Sequence, residues 1–237
     1  MKSWDGAGLA AVCACLERKR IEKRFQSAMI PEEFAHATLE NYQVKYPFQR
    51  TLWEAATQYV REFEQIKRNT ENSLGFVAVY GEERMNELPP EQRVIMKRKH
   101  NSFGLGKTHL QVAIAKELIQ RGNTVLMVSD VALMEEVMGL KQSDYPLFHE
   151  RIQSLIQVPV LIWDDIGKAN PTPSRQSVYY RVINERWRTQ RPILFSSNED
   201  IETLAVRIGD GAASRLLGMA KGRIYRVEGP DCRLSMI

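Results

Sequence analysis

The stretch Phe103-Gly104-Leu105-Gly106-Lys107-Thr108-His109-Leu110 decides how this chain is read. It holds the Gly-Lys-Thr end of a phosphate-binding loop, directly ahead of a helix-forming run. Glycine lets the backbone turn so that successive N–H groups face phosphate oxygens, Lys107 reaches the β and γ phosphates, and the Thr108 hydroxyl ligates Mg²⁺. Leu110, Ile114 and Leu118 recur at helical spacing and Gly122 lies where a helix ends, so the anion would sit at a positive helix N-terminus. The reading is an ATP site.

The full pattern needs a glycine five positions before Gly106, and that position is Asn101. Asn is the non-glycine residue best able to adopt positive φ, so Asn101 is one candidate for the place. Gly81 is the other. It ends the apolar run Leu74 to Tyr80, which reads as the buried strand that should precede a phosphate loop. Between Gly81 and Gly106 stand 24 residues where the motif has four, so about 82–101 reads as an insertion. It contains Pro89-Pro90 and the basic, helix-like run Glu91 to His100.

Composition is that of a globular protein, with 43% hydrophobic and 26% charged residues in a 237-residue chain. No apolar run approaches the ~18–20 residues that span a membrane, and the N-terminus lacks a secretory pattern, so the expected location is cytoplasmic. The net charge of +4 permits nucleic-acid contact without demanding it. Cys13, Cys15 and Cys232 are too few for a four-cysteine zinc site.

Along the chain, residues 1–30 form a basic N-terminal segment, with Glu17 to Phe25 reading as a solvated helix. Pro31-Glu32-Glu33-Phe34 looks like a helix start, and Pro47 reads as an interruption. Leu52, Ala55, Ala56, Tyr59, Phe63 and Ile66 mark one face of a long helix that should pack on a sheet. Beyond the loop, strands (124–128, 158–163, 192–196, 223–227) alternate with helices (132–138, 146–156, 174–190, 201–206 and one around Ala213 to Leu217), a parallel α/β pattern. Val158 to Trp163 is apolar on both faces, as in a central strand, and ends in Asp164-Asp165. One carboxylate there can hold Mg²⁺ through water and the next can orient the attacking water. Asn198, at the end of the strand Pro192 to Ser196, is placed to bond the γ-phosphate or its water. Few residues follow the last strand, so no C-terminal helical lid is expected.

These segments together resemble the AAA+ ATPases of the DnaC/DnaI helicase-loader and IstB group, from about Arg24 through Arg233. The resemblance implies a three-layer P-loop NTPase domain over 31–237, with a central parallel five-stranded sheet. Gly-Lys-Thr-His-Leu then matches Walker A, making Gly81, Gly104, Leu105, Gly106, Lys107, Thr108 and His109 the nucleotide-binding set, and Ile162 to Gly167 matches Walker B. Asn198 matches sensor 1, Arg215 the arginine finger and Arg233 the sensor 2 position, while Thr108 and Asp164 are the Mg²⁺ pair. A finger at a subunit surface implies self-assembly into a ring or spiral. Cys13-Ala14-Cys15 looks like the final half of the family's zinc-binding, helicase-contacting region.

The expectation is a cytoplasmic ATPase using ATP and Mg²⁺, binding single-stranded DNA and loading a DnaB-like replicative helicase. Lys107, Asp164, Asp165, Asn198, Arg215 and Arg233 are its candidate catalytic residues. Lys97, Arg98 and Lys99 are candidates for gripping DNA. The alternatives are an IstB-like transposition helper that binds duplex DNA, a kinase on the same fold, and an adaptor whose phosphate loop is disabled.

Overall fold

Val160-Leu161-Ile162-Trp163 has no polar side to offer to solvent, so a strand built from it must be covered on both faces. The computed structural model describes residues 14–233, with side chains from residue 18; Cys13 and the Cys15 side chain lie outside that range. Five strands, β1 (Leu74–Ala78), β2 (Val125–Ser129), β3 (Val160–Asp164), β4 (Ile193–Ser196) and β5 (Ile224–Val227), form one sheet in the order β2-β3-β4-β1-β5. Every pairing is parallel.

The pleat sends alternate residues to opposite faces. From β3, Leu161 and Trp163 enter one core cluster, and Val160 and Ile162 enter the other. The first cluster is closed by α6 (Asp130–Ser143), α7 (Tyr145–Gln157), α8 (Pro173–Arg188), α9 (Ile201–Ile208) and α10 (Asp210–Met219). The second is closed by α2 (Pro47–Ile66) and α5 (Lys107–Gln120), with Ile21 and Phe25 of α1 (Ala14–Ser27) packed at its margin. The result is the three-layer α/β architecture. α1 is therefore amphipathic rather than wholly solvated, and just after it the Ala28 carbonyl accepts the Met127 N–H of the edge strand β2.

Two prolines behave differently from the sequence expectation. Pro31 precedes only a 3₁₀ turn, Glu32–Phe34, while Pro47 opens α2 at its first position instead of breaking a segment. Proline's fixed φ suits the first helical turn, where its missing N–H would have had no partner. The Gln49 side chain serves the Lys45 and Tyr46 N–H groups there, at 2.8 and 3.0 Å.

The segment 82–101 is a helical hairpin, α3 (Glu82–Asn86) and α4 (Pro90–Lys99), standing between β1 and the phosphate loop. On the opposite side of the domain, Arg186 is fully buried and donates to the carbonyls of Leu155, Ile156, Val158, Pro159 and Pro192. It satisfies the carbonyl end of α7, where a cation is also favoured by the helix dipole. Among the described residues no helix follows β5, and none is long and apolar enough to cross a membrane.

Candidate nucleotide site

In an open parallel sheet, ligands meet the carboxyl ends of the strands where the strand order reverses. Here the segments leaving β1, β3 and β4 converge, and a cavity of about 560 Å³ opens over residues 102–109, with Asp165, Asn198 and Arg233 on its walls. The loop turns on Gly104 (φ 65°) and Gly106 (φ 86°), both in the left-handed region that glycine enters without steric cost. A Cβ on Gly106 would stand 2.7 Å from Tyr42 Cε2. The Tyr42 hydroxyl donates to the Leu105 carbonyl at 3.1 Å, and its ring meets His109 edge-on at 5.3 Å. His109 Nε2 lies 2.9 Å from the Thr38 carbonyl oxygen.

Neither candidate for the first glycine has positive φ. Gly81 (φ −68°) caps α3, gives its N–H to Asp200 Oδ2 at 2.9 Å, and does not line the cavity. Asn101 instead braces the loop through its side chain. Its amide donates to the carbonyls of Phe103 (2.7 Å) and Gly229 (2.9 Å), and its Oδ1 accepts from Phe103 N–H (3.1 Å). The chain after β5 completes the support, with the Cys232 N–H donating to the Gly104 carbonyl at 3.1 Å.

Lys107 begins α5 and is nearly enclosed, its ammonium donating to Asn198 Oδ1 (2.6 Å), the Ser197 carbonyl (3.0 Å) and the Ser102 carbonyl (3.2 Å). Burial lowers its pKa to about 8, against the pull of Asp165 and Asp164. Thr108 Oγ1 donates to Asp164 Oδ2 at 3.0 Å, and the Ser196 hydroxyl donates to Asp164 Oδ1 at 2.5 Å. With its amide turned as its neighbours require, Gln111, one turn along α5, donates to Asp164 Oδ1 at 2.7 Å while its oxygen accepts from Ser196 N–H at 3.0 Å. Asp165 takes a left-handed backbone (φ 52°) and accepts from the Asn198 amide at 3.0 Å. Burial first, and the neighbouring Asp164 second, raise the Asp165 pKa above the usual carboxylate range.

These residues fit a nucleoside triphosphate with a divalent ion. The two left-handed glycines and an enclosed cation make an anion cradle, and a hydroxyl beside a carboxylate offers hard oxygen donors. Among the described residues no group of three or more His, Cys, Asp or Glu could hold a metal by itself. A Mg²⁺ held by Thr108 and Asp164 would take its other oxygens from nucleotide and water, as Mg²⁺ commonly does.

A family model described as IstB-like ATP binding protein matches residues 92–218. The chain belongs to this family of AAA+ ATP-binding proteins. The chain is 25% identical, over 98% of its length and 79% of the relative, to the phage-like element PBSX protein XkdC of Bacillus subtilis (strain 168). It is 23% identical to the replicative helicase loader DnaC of Escherichia coli (strain K12), over 90% of the chain and 78% of the relative. A crystal structure of the DnaC helicase loader superposes with a TM-score of 0.64 at 18% identity, covering 84% of this chain and 100% of that one.

Arg215, like Gly81, stands apart from the cavity. It lies on α10, with its guanidinium 5.1 Å from the Tyr180 ring centre and 5.4 Å from that of Trp187, and Nη1 donating to the Gly211 carbonyl. Arg233 does line the cavity, exposed and paired with Asp231 at 3.2 Å. Tyr42, Gln111 and Ser196 had no part in the sequence reading of the site. Ser196 closes the strand that precedes Asn198 and so carries a local signal as a strand-end hydroxyl; Tyr42 and Gln111 carry none.

Proposed function

We propose that this chain is a cytoplasmic AAA+ ATPase that binds single-stranded DNA and loads or remodels a DnaB-like replicative helicase. One observation carries the reading: Lys107 and Thr108 of the phosphate loop are hydrogen-bonded to Asn198 and Asp164, so the ends of β3 and β4 and the start of α5 form one connected site. Lys107 and the loop N–H groups hold the triphosphate, and Thr108 with Asp164 holds Mg²⁺. Bound there, the ion would supply charge neutralisation to the phosphates. Asp165 accepts the proton of the attacking water while the Asn198 amide fixes its carboxylate. Arg215 reaches a neighbouring subunit's site from a self-assembled ring or spiral, and Arg233 meets the phosphates of its own. The likeness to a protein named as a helicase loader supports the partner.

The test is ATP turnover with and without single-stranded DNA, for the natural chain and for Lys107→Ala and Arg215→Ala. We expect DNA-stimulated turnover lost in both variants. A natural chain that binds no ATP would sink the reading and leave a nucleotide-independent adaptor. The IstB-like match supports a second reading, a transposition helper with the same ATP chemistry that prefers duplex DNA. Competition between single strand and duplex at fixed salt separates the two.

A further inference from the structure

The α3–α4 hairpin leaves the sheet at the end of β1 and returns at the phosphate loop. No residue of α4 is buried, and Val94 and Ile95 expose 54% and 65% of their surface. A helix this short is marginal in water without a packed face, so this one depends on its ends. Arg93 donates to the carbonyls of Asn86 and Leu88, and His100 Nδ1 lies 2.6 Å from Glu228 Oε2 with its ring stacked on Tyr80. The last turn presents Lys97, Arg98 and Lys99, all exposed, and the only acid of α4 is Glu91 in its first turn.

The other end of the hairpin is tied to the site. Glu82 pairs with Lys168, Glu83 with Arg207, and Arg84 with Asp200 at 3.1 Å. The Glu83 N–H also donates to Glu199 Oε2 at 3.1 Å. Lys168 follows Asp165 closely in the loop after β3, and Arg207 donates to the Gly167 and Lys168 carbonyls of that same loop. Glu199 and Asp200 come directly after Asn198. The first turn of α3 is therefore bonded to both loops that hold the catalytic candidates Asp165 and Asn198.

We infer that the hairpin is a nucleic-acid contact arm that reports to the ATP site. Phosphates of a single strand dock on Lys97, Arg98 and Lys99, and the ion pairs of Glu82, Glu83 and Arg84 carry that docking to the loops of Asp165 and Asn198. Three consecutive helical residues fan over roughly 200°, a spread that suits a flexible strand curving round the helix better than a flat acidic protein face. The inference rests on the reading of the chain as a DNA-binding ATPase.

Binding of a labelled oligothymidylate, followed by fluorescence anisotropy across a salt series, tests the contact. Replacing the three cations (Lys97→Gln, Arg98→Gln, Lys99→Gln) should lower the slope of log K against log salt by about 2, since each phosphate contact to a single strand contributes ~0.7. Lys168→Met tests the coupling, with oligonucleotide affinity kept and most of the DNA stimulation of turnover lost. Deleting residues 89–99 removes α4 and keeps the Asn101 brace of the phosphate loop; that variant should bind ATP and ignore DNA. An unchanged salt slope in the triple variant overturns the arm while leaving the ATPase reading intact. Undiminished stimulation in both Lys168→Met and the deletion overturns the coupling. A natural chain with no affinity for the oligonucleotide removes the DNA-binding reading and the arm with it.

Discussion

Lys107 provides a quantitative handle on the nucleotide site. With its pKa lowered to about 8 by burial, the side chain is about half protonated at pH 8 and roughly one-tenth protonated at pH 9. A triphosphate favours the charged form, so binding must draw a proton from solution: about 0.1 per site at pH 7, about 0.5 at pH 8 and about 0.9 at pH 9. A lysine at its ordinary pKa of 10.5 would take up almost none over that range. Above pH 8 the affinity for ATP should therefore fall, approaching tenfold, or ~1.4 kcal/mol, per pH unit. Calorimetric titration of ATP at pH 7, 8 and 9, in buffers of different ionisation enthalpy, measures the uptake directly. Lys107→Arg, which keeps the charge and does not titrate there, should abolish it. Uptake that stays near zero at pH 9 in the natural chain would refute the reasoning. The sign for stability is separate: the unfolded chain holds this proton between about pH 8 and 10.5, so the ligand-free fold gains stability as pH rises through that window, by up to about 3 kcal/mol.

Other perturbations test neighbouring parts of the argument. Gly106→Ala forces a side chain into left-handed backbone and against Tyr42, and should weaken ATP binding more than tenfold in a fluorescent-nucleotide assay; equal affinity would show the loop to be adaptable. Arg186→Met strips five carbonyls of their buried donor and should cost roughly 3–5 kcal/mol in urea denaturation; a loss below about 1 kcal/mol would mean that water replaces the guanidinium. If Asp165 accepts the proton from water, turnover should fall with acid through a pKa above the usual carboxylate range, because only the ionised form can act. Asp165→Asn should remove turnover while ATP still binds, and full activity in that variant would reassign the base.

The strands were legible because a doubly covered parallel sheet demands continuous apolar runs, and Val158 to Trp163 and Pro192 to Ser196 are such runs. Asp164 and Asn198 were legible for a related reason, since a polar residue that ends a buried strand stands where ligands gather. The α3–α4 hairpin was readable as surplus length between Gly81 and Gly106, although how the loop is held was not. The turn is held by Asn101's side chain and by backbone from the far end of the chain, near Gly229 and Cys232, and such partners leave no mark in local spacing. Tyr42 and Arg186 were invisible for the same reason. Tyr42 meets a carbonyl 63 positions away, and Arg186, in a helix with other arginines, looks like any polar surface residue until five carbonyls are found around it.

The two rims of the sheet are protected unequally. The outer side of β2 is met by the chain just after α1, where the Ala28 carbonyl takes the Met127 N–H. β5, at the other rim, is only partly covered and carries the exposed Arg226. An uncovered strand is a template for pairing with another chain, and a charge on it discourages that pairing. Solubility at the β2 rim thus depends on a segment that contributes nothing to the nucleotide site, so a shortened protein starting after Ala28 would retain the residues of its chemistry and lose its guard against self-association.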